Sequence, residues 1–115
     1  MEDYSETPGK TTIAPDVLTS IARLTTISVS GVSRLATRPK DLNHVFKKPE
    51  HEGVDVVVQD NRVYVDLYVI LKRDVKVRDV CRAIQNHITR AISETVGMDV
   101  GKINVHVEDI DYSEA

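Results

Sequence analysis

One cysteine, five glycines, five aromatic residues and no tryptophan are all that this chain of 115 residues offers of the residue types on which small active sites are often built. A lone thiol, Cys81, makes no internal disulfide and supplies no C-x-x-C pair for zinc. It falls at an apolar position of a helical pattern and reads as core filler rather than as a reactive group. The glycines, Gly9, Gly31, Gly53, Gly97 and Gly101, form neither a G-x-G-x-x-G turn nor a Walker loop, which argues against nucleotide binding by those routes. His44, His51, His87 and His106 include no H-x-x-x-H pair, so neither a metal nor a cofactor is expected. His87 sits at the edge of an apolar helix face and reads as a half-buried packing residue. No apolar run approaches the roughly 20 residues of a membrane span. The acidic start, Met1 to Gly9, is unlike a signal peptide, and a cytoplasmic protein is expected.

What the chain does have is charge, unevenly spread. With 41% hydrophobic and 29% charged residues it has the composition of one soluble globular domain, at a net charge of -3. Seven of the 18 acidic residues lie at the two ends, which leaves 11 against all 15 Lys and Arg within residues 10–107. The expected organisation is an acidic, flexible N-terminal tail at 1–9, a single domain over 10–110 and an acidic C-terminal tail at 111–115. Inside the domain, residues 33–52 lose periodicity, hold Pro39 and Pro49, and gather Arg34, Arg38, Lys40, Lys47 and Lys48 around Leu42, Val45 and Phe46. This reads as a long basic connection.

The strongest pattern is Val54 to Leu71, V-D-V-V-V-Q-D-N-R-V-Y-V-D-L-Y-V-I-L. Alternating β-branched and aromatic residues flank an Asp60-Asn61 pair whose side chains tolerate left-handed backbone, the signature of a two-residue hairpin. Lys10 to Ile13 reads as a short strand. Ala14-Pro15-Asp16 starts a helix to about Thr26, with Val17, Leu18, Ile21, Ala22 and Leu24 as its buried stripe. A second helix has Val77, Val80, Cys81, Ile84, Ile88, Ala91, Ile92, Thr95 and Val96 on its inner face, and Gly97 to stop it. Lys102 to Glu108 alternates as a last strand.

The resulting order, β-α-β-β-α-β, predicts an α+β fold: a two-layer α/β sandwich of the ferredoxin-like kind, an antiparallel sheet with both helices on one face. The pleat puts Val63, Val65, Leu67, Val69 and Leu71, with Val54, Val56 and Val58, under the helices. Arg62, Tyr64, Asp66 and Tyr68, beside His106, then occupy the open face. Tyrosine and arginine rimmed by charge are the mix of a protein interface, so this face is the expected partner-binding surface. Asp66 between two phenols lacks the partners of a general base, and no catalytic residue is assigned.

Ferredoxin-like sheets also bind RNA through aromatics two residues apart beside glycines, but here Tyr64 and Tyr68 are four apart with an acid between them. The alternative to protein binding is a nucleic-acid or anionic-surface module using a basic patch of Arg34, Arg38, Lys40, Lys47, Lys48, Arg78 and Arg82.

Four segments together resemble a known family. They are G-K-T-T-I-A-P-D-V-L-T-S-I-A-R-L from Gly9, V-S-G-V from Val29, the hairpin from Gly53, and V-G-M-D-V-G-K-I-N-V-H-V from Val96. This set is similar to the alkaline shock (Gls-type) stress proteins of bacteria and covers about Gly9 to Glu108. The resemblance implies a cytoplasmic, non-enzymatic protein of cell-envelope homeostasis and stress response. It also implies self-association into a homo-oligomer, in some members capture at the membrane by a small anchor protein, and in others a genetic link to fatty-acid synthesis. It brings no catalytic residues and no small-molecule substrate. The proline-broken basic segment after Val32 departs from the glycine-rich or apolar connection of many members.

Overall fold

Two adjacent left-handed residues, Asp60 at φ 52° and Asn61 at φ 63°, turn the hairpin in the computed structural model, which describes residues 9–37 and 52–113. They join β2 (Val54–Gln59) to β3 (Arg62–Lys72), with Gln59 opposite Arg62 and Val54 opposite Leu67. The chain order is α1 (Pro15–Ser28), β1 (Val32–Leu35), β2, β3, α2 (Val77–Val96) and β4 (Asp99–Asp111).

The α+β two-layer architecture stands, with both helices packed into one core over the inner side of β3. Two details of the expected order are corrected. Residues 9–14 form no strand, and the first strand is Val32–Leu35, where a turn and an irregular connection were expected. In addition, the sheet is mixed: β1 and β2 run antiparallel to β3, but β4 runs parallel to it. The two corrections share one cause. In the ferredoxin-like arrangement an N-terminal strand separates the two parallel strands of the second crossover; here none is inserted, so β3 and β4, joined through α2, pair directly.

β3 is the centre of the sheet. β4 takes one of its edges, while β1 and β2 share the other end to end, β1 opposite residues 69–71 and β2 opposite 62–67. The chain leaves this edge at Ala36 and returns at Gly53, and both residues bond to Tyr68: the Ala36 amide donates to the Tyr68 carbonyl at 2.6 Å, and the Tyr68 amide to the Gly53 carbonyl at 2.9 Å. Gly53 has φ 80°, and a Cβ there would lie 2.7 Å from the Ala36 carbonyl oxygen.

Alternation dictates the core. Val63, Val65, Leu67, Val69 and Leu71 are fully buried with Ile84, Ile88 and Ile92 of α2 and Leu18 and Ala22 of α1. Thr26 is also buried in α1, and its hydroxyl is satisfied by donating to the Ala22 carbonyl at 2.7 Å. Four apolar residues expected inside are not: Val17 is 43% exposed, Leu24 56%, Val58 47% and Val77 42%. α1 presses Leu18, Ala22 and Thr26 inward at four-residue spacing, which turns Val17 and Leu24 away. Val58 lies where the helix layer falls short of the hairpin end, at a cleft of about 340 Å³ shared with Ile13, Pro15 and Met98. Val77 opens the first turn of α2. His87 and Thr95 are likewise exposed rather than packed, whereas Cys81 is partly covered and burial pushes its thiol pKa up.

At the far end of β3 a polar clasp ties β1 to β4. Asp111 accepts from the Ser113 hydroxyl at 2.6 Å and the Ser33 hydroxyl at 2.6 Å, and pairs with Arg34 at 3.1 Å. The Ser113 and Ser33 hydroxyls, the Ser113 amide and Arg34 hold the carboxyl well below the usual carboxylate range. A lowered folded pKa contributes stability that is complete above the ordinary aspartate value and is lost as pH falls below it. Asp111→Asn is therefore expected to destabilise the fold near neutral pH, with a deficit that narrows as the pH drops below about 4. Urea unfolding across pH measures this; a deficit independent of pH would show that the carboxylate charge plays no part.

Candidate interaction surface

Period 2 aims Tyr64, Asp66 and Tyr68 of β3 to the side away from the helices, where each is half-buried. The parallel register sets Asp66 beside Asn104 and Tyr68 beside His106. The His106 ring lies flat on Tyr68, with centroids 4.6 Å apart and planes at 13°. Its Nε2 is 3.0 Å from Asp66 Oδ1, and the Asn104 amide donates to the same oxygen at 3.1 Å. An ionised carboxylate only accepts, so this contact places the ring proton on Nε2. On its other side Asp66 faces Asp55 of β2.

The structure thus brings all five expected face residues, Arg62, Tyr64, Asp66, Tyr68 and His106, onto one side of the sheet, with Asp66, Tyr68 and His106 in direct contact. Arg62 lies exposed at the hairpin end of β3, opposite Gln59. Two further residues contribute, of which the alternation of β4 puts Asn104 on this face and only Gly101 was not assigned to it from sequence. Asn104 completes the Asp66 contact. Gly101 lies under the Tyr64 ring, where a Cβ would come within 2.5 Å of ring carbons. Its signal was legible, since a glycine inside a β-branched strand marks a bulge or a close approach, and Gly101 falls at the register shift between Val63 and Tyr64.

The expected basic patch is only partly within the described residues. Arg34 stands in β1, committed to Asp111, and Arg78 and Arg82 are exposed on α2. Arg38, Lys40, Lys47 and Lys48 lie outside the described residues, as do 1–8 and 114–115 of the two expected tails. Chemically, the open side of β2, β3 and β4 carries no serine, threonine or cysteine beside the Asp66–His106 pair. Among the described residues no group of three or more His, Cys, Asp or Glu is placed to hold a metal ion. No helix among them is long and apolar enough to cross a membrane.

Fold and face define a small α+β module with a polar, aromatic sheet surface. The chain belongs to the ASP23 (alkaline shock) family, of cell envelope-related function, whose family model matches residues 3–112. It is similar to two uncharacterized proteins of Bacillus subtilis (strain 168). With YqhY it shares 26% identity over 113 residues, 96% of this chain and 84% of that protein. With YloU the identity is 23% over 106 residues, 89% of this chain and 88% of that protein. An uncharacterized protein of Streptococcus pyogenes, Spy1614, is 24% identical over 106 residues, 89% of this chain and 88% of that protein. No solved structure matches the chain.

Proposed function

We propose that this chain is a non-enzymatic interaction protein with a role in cell-envelope homeostasis under stress, which docks a protein partner on its open sheet face and self-associates. The observation that carries the reading is the Tyr68–His106 stack held on Asp66. A flat aromatic platform whose ring orientation is already set by a carboxylate and an amide loses little side-chain entropy when a partner covers it. Tyrosine supplies large contact area at low entropic cost, and the neighbouring charges supply orientation. The family's cell envelope-related function supports a partner that is a component of that machinery, and a small membrane-anchoring protein is the form the reading favours.

The double substitution Tyr64→Ala with Tyr68→Ala tests it. Both side chains lie opposite the core, so the fold is expected to persist, while capture of native partners in a pull-down falls well below that of the unmodified chain. Unchanged partners in a folded double mutant would remove the face as the working surface.

A further inference from the structure

The open face is one exposed surface of the sheet; the outer edge of β4 is another. β4 is 13 residues long and bonds only to β3, so its far edge has no strand beside it among the described residues. The direction of that edge is readable. Gln85 of α2 donates to the Ile103 carbonyl at 3.1 Å, so this carbonyl is turned to the helix rather than to β3. Backbone groups of alternate residues share a direction, and those of Ile103, Val105 and Val107 therefore point outward. The register shifts bracket this stretch and leave Lys102 to Val107 regularly paired with β3. Proteins protect long regular edges from pairing with bulges, charge or cover, and here the regular run between the two bulges carries only Lys102 as a charge, with Gln85 covering one carbonyl.

The geometry points to a second copy of this chain as the occupant: β4 pairs antiparallel with β4 of its partner about a two-fold axis at Val105. This rests on the self-association proposed above and names the element that performs it. Charge complementarity is what selects this register. Lys102 and Glu108 stand three residues to either side of Val105, both exposed and neither in an ion pair among the described residues. In the symmetric pairing Lys102 of each copy lies across from Glu108 of the other, at the register shift that ends the regular run, so the contact is made twice; Asn104 faces His106, and Ile103 faces Val107 on the helix side. Outward backbone groups at Ile103, Val105 and Val107 then meet their counterparts as hydrogen-bonded pairs. A cleft of about 260 Å³ between Gln85, Thr89 and residues 100–103 lies along the edge to receive the incoming valine. The axis is normal to the sheet, so the helices of both copies stay on one side. Two open faces then merge into one surface that presents the Tyr68–His106 platform twice.

Charge reversal tests the register without disturbing the fold, because both residues are exposed. Like charges placed directly opposite in a sheet repel, and each single variant creates two such contacts. Lys102→Glu alone and Glu108→Lys alone are each expected to weaken dimerisation by roughly tenfold or more in sedimentation at several concentrations. Mixing the two single variants restores both attractive contacts, and so does combining the substitutions in one chain; dimer is expected to return in each case. The Tyr64→Ala, Tyr68→Ala protein should dimerise normally. If the unmodified chain dimerises but the single reversals leave it unaffected, or their mixture fails to recover it, the β4 edge is not the contact and self-association resides elsewhere. An unmodified chain that stays monomeric at every concentration would overturn this pairing and the self-association reading together, leaving partner capture to its own test.

Discussion

Gly53→Ala is expected to lower stability by roughly 3 kcal/mol or more and the midpoint of thermal unfolding by more than about 10 °C. Two costs combine. An L-residue at φ 80° pays roughly 1–2 kcal/mol for its backbone conformation. The added methyl would also sit 2.7 Å from the Ala36 carbonyl oxygen, 3.0 Å from Leu35 Cβ and 3.2 Å from the Tyr68 carbonyl oxygen. None of these is the free end of a flexible side chain. Relief requires moving the backbone where β1 and β2 both meet β3, so the amide bonds at Tyr68 should weaken with it. Thermal unfolding and amide exchange at Tyr68 measure the effect; a variant as stable as the parent would show that this junction is not built as described.

Leu67→Ala is expected to cost about 2–5 kcal/mol in urea unfolding, the range for a buried leucine that leaves a cavity. Leu67 has no exposed surface, lies midway along the central strand and is enclosed by strands on both edges and by the helix layer. Leu24→Ala is the contrasting measurement. Leu24 is 56% exposed, and the same substitution there should change stability by no more than about 0.5 kcal/mol. Equal losses at the two leucines would mean that the outer face of α1 is covered in solution.

The hairpin, its turn, both helices and the open face were legible because each rests on a local pattern. Alternation from Val63 to Leu71 admits one inward side, and Asp60-Asn61 admits one kind of turn. The polar side of β4 was legible for the same reason, which is how His106 joined Tyr64, Asp66 and Tyr68. Other features depend on what no local pattern contains. Lys10 to Ile13 alternates as well as many short strands do, but both edges of β3 are already taken. Val32 to Leu35 looks irregular because a register shift falls between Val32 and Arg34. Val17 and Leu24 fit a helical stripe, yet the choice between two neighbouring stripes is made by the sheet beneath, which favoured Leu18, Ala22 and Thr26. The Asp111 clasp joins residues 78 apart in the chain, and nothing in either segment announces the other.

Because β1 and β2 run in the same direction along one edge of β3, they amount topologically to a single strand written in two instalments. The two parts meet at one residue: Ala36, at the end of the first, and Gly53, at the start of the second, both bond to Tyr68. The closure entropy of a connection between two such points grows slowly, by about 0.6 kcal/mol for each doubling of length. An insertion between Ala36 and Gly53 is therefore expected to leave the stability of the domain nearly unchanged, and thermal unfolding of a chain carrying an epitope there measures it. Variation between relatives should collect there, while the two residues at its ends stay small.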